Sequence, residues 1–180
     1  MGSLVLTGDT SGQVTLAAPA VAGTTTITMP AVTGTMTVLS PTQSMVRLNT
    51  ANGWGSTNTK IRRYTNTVTN QGTDITYTDS ATLGASFTIN TTGVYGISMT
   101  ETTASAFFAA ITLNDTTPTV NVGSQAAGEI LAGCSNTANN LASCSGTFFL
   151  PAGSVIRSHG EGAAASSSPQ FVQFVITRVT

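Results

Sequence analysis

Apolar and polar residues alternate from Ala85 through Phe87 to Ile89, break at Asn90-Thr-Thr-Gly93, and alternate again through Tyr95, Ile97 and Met99. A period of two puts each apolar set on one face of a strand, so the segment predicts two half-buried strands joined by a tight turn. The same reading from Met45 onward predicts strands over 45–49, 59–67, 73–79, 85–90, 93–103, 106–114, 119–123, 128–133, 143–150, 153–158 and 170–179. Turn signals separate them at Asn52-Gly53, Gln71-Gly72, Asn114-Asp115, Pro118 and Pro151-Ala-Gly153. Some ten antiparallel strands in about 135 residues is the size of a jelly-roll sandwich. Residues 160–169, rich in Gly, Ala and Ser, read as a surface loop.

Before residue 40 the texture changes. Leu4-Val-Leu-Thr, Gln13-Val-Thr-Leu-Ala17, Thr24-Thr-Thr-Ile-Thr-Met-Pro30 and Gly34-Thr-Met-Thr-Val-Leu39 read as four short strands, each closed by Gly, Pro or Ser. Four such strands bury little alone, and the stretch holds no cysteine and no charge but Asp9. It therefore needs a neighbour to pack against. The chain divides on this reading into a β-rich docking and assembly segment, residues 1–40, and a head domain, residues 45–180.

Composition sharpens the class. Threonine supplies about a fifth of the 180 residues, and only 7% are charged while 40% are hydrophobic. Threonine is β-branched and suits a pleated, partly wet surface, and the Ala, Leu, Glu and Lys patterning of soluble helices is missing. The chain reads as all-β. A formal net charge of -1 gives little repulsion between copies, which points to a surface largely buried in an assembly. The six Lys and Arg residues form no basic patch beyond Arg62-Arg63, read as solvated strand ends, so no nucleic-acid partner is expected. No apolar run reaches the roughly 18 residues that span a bilayer. The first residues lack the basic and long apolar regions of a secretory signal, so synthesis in a cytosol without membrane insertion is expected.

Candidate chemistry is sparse. His159 is the sole histidine; it falls in the predicted loop, no Gly-x-Ser-x-Gly elbow accompanies it, and it reads as solvated. Asp74, Asp79, Glu101, Asp115, Glu129 and Glu161 are scattered outside any hydrolase context. Asp115, in the Asn114-Asp115 turn, is the candidate calcium ligand, and an Asx turn accounts for it more simply. No phosphate-binding glycine loop occurs, so no cofactor and no enzymatic activity are expected. Cys134 and Cys144 enclose nine turn-prone residues. A disulfide closing that loop would stabilise the chain by about 3 kcal/mol in the chain-entropy model. Two free thiols are the alternative in a reducing cytosol, and release into oxidising surroundings favours the bond. Two cysteines and one distant histidine fall short of a zinc site.

Four landmarks occur in order. Gly93-Val-Tyr95 opens a strand after Phe87-Thr-Ile89, and Ala110-Ile-Thr-Leu-Asn114 follows. Gly146-Thr-Phe-Phe-Leu-Pro-Ala-Gly153-Ser-Val155 comes next, and Phe171-Val-Gln-Phe174-Val-Ile176 closes the chain. Over residues 45 to 180 this resembles the complement globular-head and tumour necrosis factor-like jelly roll. Two departures stand out: Gly153-Ser154 replaces the usual Gly-Asp before the penultimate strand, which counts against an inherited calcium site, and Gln173 replaces a common Gly. The resemblance implies a compact homotrimer, with Tyr95, Phe107, Phe108, Phe148, Phe149, Phe171 and Phe174 in the core or at the threefold axis.

The segment from Gly8 to Gly23, followed by Ile27-Thr-Met-Pro30, is similar to stretches upstream of head domains in bacteriophage fibre and tail-associated proteins. Together the two resemblances imply a virion fibre or spike head docked to other virion proteins through residues 1–40. Its distal loops would contact a host-surface glycan. Trp54 in Gly53-Trp54-Gly55, Asn136 and Asn139 in the 134–144 segment, and His159 are the candidate loop contacts, with Trp54 equally readable as a buried anchor. Two alternatives remain open: a capsid or tail decoration protein, and a small glycan hydrolase with a carboxylate pair about 5–10 Å apart.

Overall fold

The computed structural model describes residues 3–7, 13–17, 43–138, 140–162 and 168–179, and the backbone divides into two compact units, residues 1–39 and 40–180. In the first unit β1 (Ser3–Thr7) pairs antiparallel with β2 (Gln13–Ala17), Ser3 lying opposite Ala17. A two-stranded ribbon is marginal by itself, and Val5 and Leu6 are exposed on it. The strands expected over 24–30 and 34–39 lie outside the described residues.

Among the described residues the second unit contains ten strands in two five-stranded antiparallel sheets. In chain order they are β3 (Met45–Asn49), β4 (Asn66–Gln71), β5 (Ile75–Thr78), β6 (Ser86–Ile89), β7 (Gly93–Thr102), β8 (Phe107–Leu113), β9 (Ile130–Asn136), β10 (Leu141–Leu150), β11 (Val155–Gly160) and β12 (Gln173–Arg178). One sheet runs β10-β7-β12-β3-β4 and the other β5-β6-β11-β8-β9. Successive strands cross repeatedly between the sheets, which is jelly-roll topology. No helix among the described residues is long and apolar enough to cross a membrane.

The alternating pair at 85–99 forms two strands with the expected faces inward: Ala85, Phe87, Ile89, Tyr95, Ile97 and Met99 are all buried. They are not a hairpin. β6 pairs with β5 and β11, whereas β7 pairs with β10 and β12. The Asn90–Thr92 turn is a corner between sheets, held where the Tyr95 hydroxyl donates to the Thr91 carbonyl at 2.6 Å. The two strands thereby face each other across the core. Phe87 from one sheet stacks on Phe174 from the other with ring centroids 4.3 Å apart, and Tyr64 tilts against both.

Two predicted strands are corrected. Residues 59–67 give isolated bridges, Trp54 to Arg62 and Ile61 to His159, before β4 begins at Asn66. A local bond from Ile61 N–H to the Asn58 carbonyl turns the chain there. Residues 119–123 contain a 3-10 turn, Val122–Ser124, closed by Ser124 N–H to Asn121 O. A run that short gains more from local i→i+3 bonds than from an edge with no strand beside it.

Candidate functional site: a sparsely charged sheet face

Alternation along β10 sends Ala142, Cys144 and Leu150 inward and leaves Leu141, Ser143, Ser145, Thr147 and Phe149 pointing out. The neighbouring strands present Gly96, Ser98 and Thr100 from β7 and Gln173, Val175 and Thr177 from β12 on that same face. Arg47 of β3 is the charge there among the described residues, and its guanidinium donates to Gln173 Oε1 at 3.0 Å. Two shallow depressions mark the surface. One, of about 190 Å³, lies among Ser98, Thr100, Leu141, Phe171 and Val175. The other, of about 360 Å³, lies over Gly96, Ser98, Ser145 and Thr147. Phe149 is 68% exposed, Leu141 54% and Phe171 50%, so large apolar groups rim a nearly neutral, small-residue sheet.

The aromatic candidates divide. Tyr95, Phe107 and Phe174 are buried in the core, and Phe148 packs against it half-buried. The Phe148 ring lies over Gly146, where a Cβ would sit 2.2 Å from it, so the Gly-Thr-Phe-Phe run records a close approach. Phe149 and Phe171 border the face just described. Phe108, 58% exposed, belongs to the other sheet. Sequence reasoning did not single out Leu141 or Val175; the alternation in 141–149 was the signal available for Leu141.

Among the solved structures similar to this fold are three of murine APRIL. At pH 8.5 the match has a TM-score of 0.57 and 17% identity, covering 76% of this chain and 99% of that one. The pH 8.0 and pH 5.0 structures each give a TM-score of 0.56 with the same coverage, at 17% and 16% identity. The fold is a tumour necrosis factor-like jelly roll. The sequence itself matches no protein-family model and no curated protein.

Within this jelly roll the polar candidates occupy places their sequence context did not announce. His159 is in β11, not in a loop, and its side chain is fully buried. It points to the outer side of its sheet, where residues 114–129 cover it. Its Nδ1 lies 2.6 Å from Asp115 Oδ2 and its Nε2 2.8 Å from the Val120 carbonyl oxygen. A carbonyl only accepts, so Nε2 carries a proton, and with both nitrogens engaged the ring has none to offer a serine. Asp115 is equally enclosed. Its Oδ1 accepts from Thr117 N–H at 2.9 Å, an Asx turn, and its Oδ2 faces His159, so it presents no oxygens to a solvated calcium ion.

The Arg62-Arg63 pair is likewise corrected. Arg63 bonds Asp79 at 2.6 Å near the surface, but Arg62 is wholly buried with its Nε 3.3 Å from Glu101 Oε2. Half-buried Trp54 lies against that guanidinium, 5.3 Å from its ring centroid, a cation–π contact. Its ring also fills the space beside Gly160, where a Cβ would approach to 2.6 Å. Gly160→Ala is therefore expected to cost about 1–3 kcal/mol. It should also shift the emission of Trp54, the one tryptophan; unchanged emission would mean the ring is not held there.

Asn136 ends β9, and its side chain, together with Asn139, lies outside the described residues, as do 163–167 of the 160–169 segment. Cys134 and Cys144 are free thiols; Cys144 is in the core and Cys134 packs against it. The connection between them is not a hairpin in one sheet, because it joins β9 of one sheet to β10 of the other.

Proposed function

We propose that this protein is a non-enzymatic structural component of a bacteriophage particle. It assembles as a homotrimer through the outer face of the β10-β7-β12-β3-β4 sheet. The observation that carries this reading is the neutral face rimmed by Phe149, Leu141 and Phe171. Burying it removes apolar area from water and leaves almost no charge to desolvate. The low charge of the whole chain supports an assembled state, because a free monomer with net charge -1 has little to keep copies apart. On this reading residues 1–40 dock to other virion proteins, and loops of the sandwich contact a host-surface glycan, weak single contacts being multiplied about 10²–10⁴-fold by trimeric display.

Mass measurement in solution tests the assembly. The chain is expected to run as three copies, and Phe149→Asp as one copy with unchanged far-ultraviolet circular dichroism, since an exposed carboxylate harms only a surface that must be covered. A monomeric parent chain sinks the proposal. Labelling on purified particles separates roles: density at the tail with retention of host polysaccharide supports the fibre-head reading, whereas density at capsid threefold points replaces it with decoration.

A further inference from the structure

Residues 114–129 join β8 to β9 across the outer side of their sheet. The segment is stapled to itself: Glu129 Oε1 accepts from the Thr116 N–H at 3.2 Å and hydroxyl at 2.7 Å, and Gln125 Nε2 donates to the Thr117 carbonyl at 3.0 Å. Among the described residues, the hydrogen bonds that tie its stretch from Asp115 to Glu129 to the sheet both end on His159 of β11. Asp115 Oδ2 lies 2.6 Å from Nδ1 and the Val120 carbonyl oxygen 2.8 Å from Nε2, with both side chains at 0% exposure. Val122 adds an apolar contact, buried where it lines a groove of about 330 Å³ with Ala110 and Ile130. The segment opens at Asn114, whose φ of 50° marks a sharp change of chain direction. Its one strong tie is therefore a single imidazole. The carbonyl only accepts, so Nε2 carries a proton. A neutral ring would then turn the Nδ1 lone pair onto a carboxylate that also only accepts, so the 2.6 Å contact holds a second proton between Nδ1 and Oδ2.

We propose that this shared proton is a latch: while the His159–Asp115 pair keeps it, residues 114–129 stay closed over the sheet, and its loss as pH rises above neutrality releases the segment and withdraws Val122 from the groove. In the released chain the ring meets water, where an imidazole is neutral above about pH 6.5 and a carboxyl is ionised above about pH 3.9. The closed chain thus binds one proton more than the released chain, and closure weakens as pH climbs. The proton passes to water and no covalent bond changes. The other charged groups around the ring are engaged elsewhere. On β11 the Arg157 guanidinium turns to the Ala85 carbonyl at 3.4 Å, and β8 brings only Ala110 and Thr112 opposite that stretch. On the other side Ile61 bridges His159; its neighbour Arg62 turns to Glu101, and Lys60 donates to the Glu161 carbonyl at 2.8 Å. The Glu161 carboxylate accepts from the Phe108 N–H, and Glu129 is held by Thr116. Asp115 is the group placed to share the proton. The latch belongs to the sheet opposite the proposed assembly face, so it stands or falls apart from the number of copies.

The test treats the native full chain with diethyl pyrocarbonate and follows carbethoxylation of His159, the sole histidine, by peptide mass. N-acetylhistidine at the same pH is the reference, and the ratio of the two rates reads the released fraction. For the parent chain that ratio should rise about twentyfold from about pH 7 to about 8.5. It should change little in about 1 M urea, because releasing one segment exposes far less surface than unfolding. Asp115→Asn keeps the closed geometry without a shared proton: the new amide N–H donates to Nδ1 of a neutral ring, and the amide oxygen still accepts from Thr117 N–H. Its ratio should stay within about twofold over the same range. A flat parent ratio overturns the latch, and so does an Asp115→Asn ratio that climbs with the parent's. A parent ratio that rises steeply with urea assigns the exposure to global unfolding and overturns it too. The parent-chain measurement needs no variant, so a misfolded substitution cannot mask the result.

Discussion

Glu101→Ala is expected to lower the unfolding free energy by about 3–5 kcal/mol at neutral pH, and the pair Arg62→Met with Glu101→Leu to recover most of that loss. Both side chains are buried, at 0% and 1% exposure. Removing one leaves the other charge in a low-dielectric interior without its counter-ion, whereas replacing both removes the desolvation penalty and keeps the volume. Denaturant titration of the three proteins checks this. A single variant within 1 kcal/mol of the parent would mean that the pair behaves as a surface ion pair.

The same carboxyl sets a pH dependence. Burial pushes Glu101 from its ordinary 4.5 up to about 7, against the pull of Arg62 and the Thr102 N–H. A carboxyl whose folded pKa is raised binds a proton more tightly in the folded chain. Its contribution is complete below about pH 4.5 and is lost as pH climbs through 7, a change of about 3 kcal/mol. Asp74 acts in the opposite sense: hydrogen bonds from Thr91 and Ser44 lower it from 3.8, so its contribution is lost only as pH falls below that ordinary value. Between pH 4.5 and 7 the parent should therefore gain stability on acidification, and Glu101→Gln should show a flatter slope. Equal slopes would remove Glu101 as the cause.

Phe87→Ala is the second large effect, about 3–5 kcal/mol. Its ring is fully buried, stacked on Phe174 at 4.3 Å and tilted on Tyr77 at 5.3 Å. Truncation loses the transfer energy of the ring, leaves a cavity between two sheets that cannot close freely, and removes aromatic pairing worth about 0.5–1.5 kcal/mol. Tyr77 is held in place by its hydroxyl, which donates to the Tyr64 carbonyl, so it cannot swing in to fill the space. Phe108→Ala, at an exposed position, should stay within about 0.5 kcal/mol of the parent. Comparable losses at both positions in thermal melts would contradict the assignment of Phe87 to the core and Phe108 to the surface.

Much of the strand set was legible. The expected 45–49 strand coincides with β3, and 93–103 differs from β7 by one residue at its end. Such segments alternate over enough residues for the pleat to declare a buried face. Where alternation was brief, as at 119–123, local turn bonds prevailed. The candidate site was less legible, because exposure of an outward residue depends on what covers its sheet. Phe149 and His159 both point away from the core, yet Phe149 lies on an open face and His159 lies beneath residues 114–129.

By itself the sequence determined the all-β class, most strand positions and the inward set Phe87, Ile89, Tyr95, Ile97 and Met99, because these follow from a period of two built into the extended backbone. The tertiary structure alone decided that β6 and β7 belong to different sheets, that Arg62 meets Glu101 across 39 residues, that His159 and Asp115 are enclosed, and that Cys134 and Cys144 border one core from opposite sheets. Pairing and enclosure are settled by which distant segments exclude water from one another, and no local period encodes the identity of that neighbour.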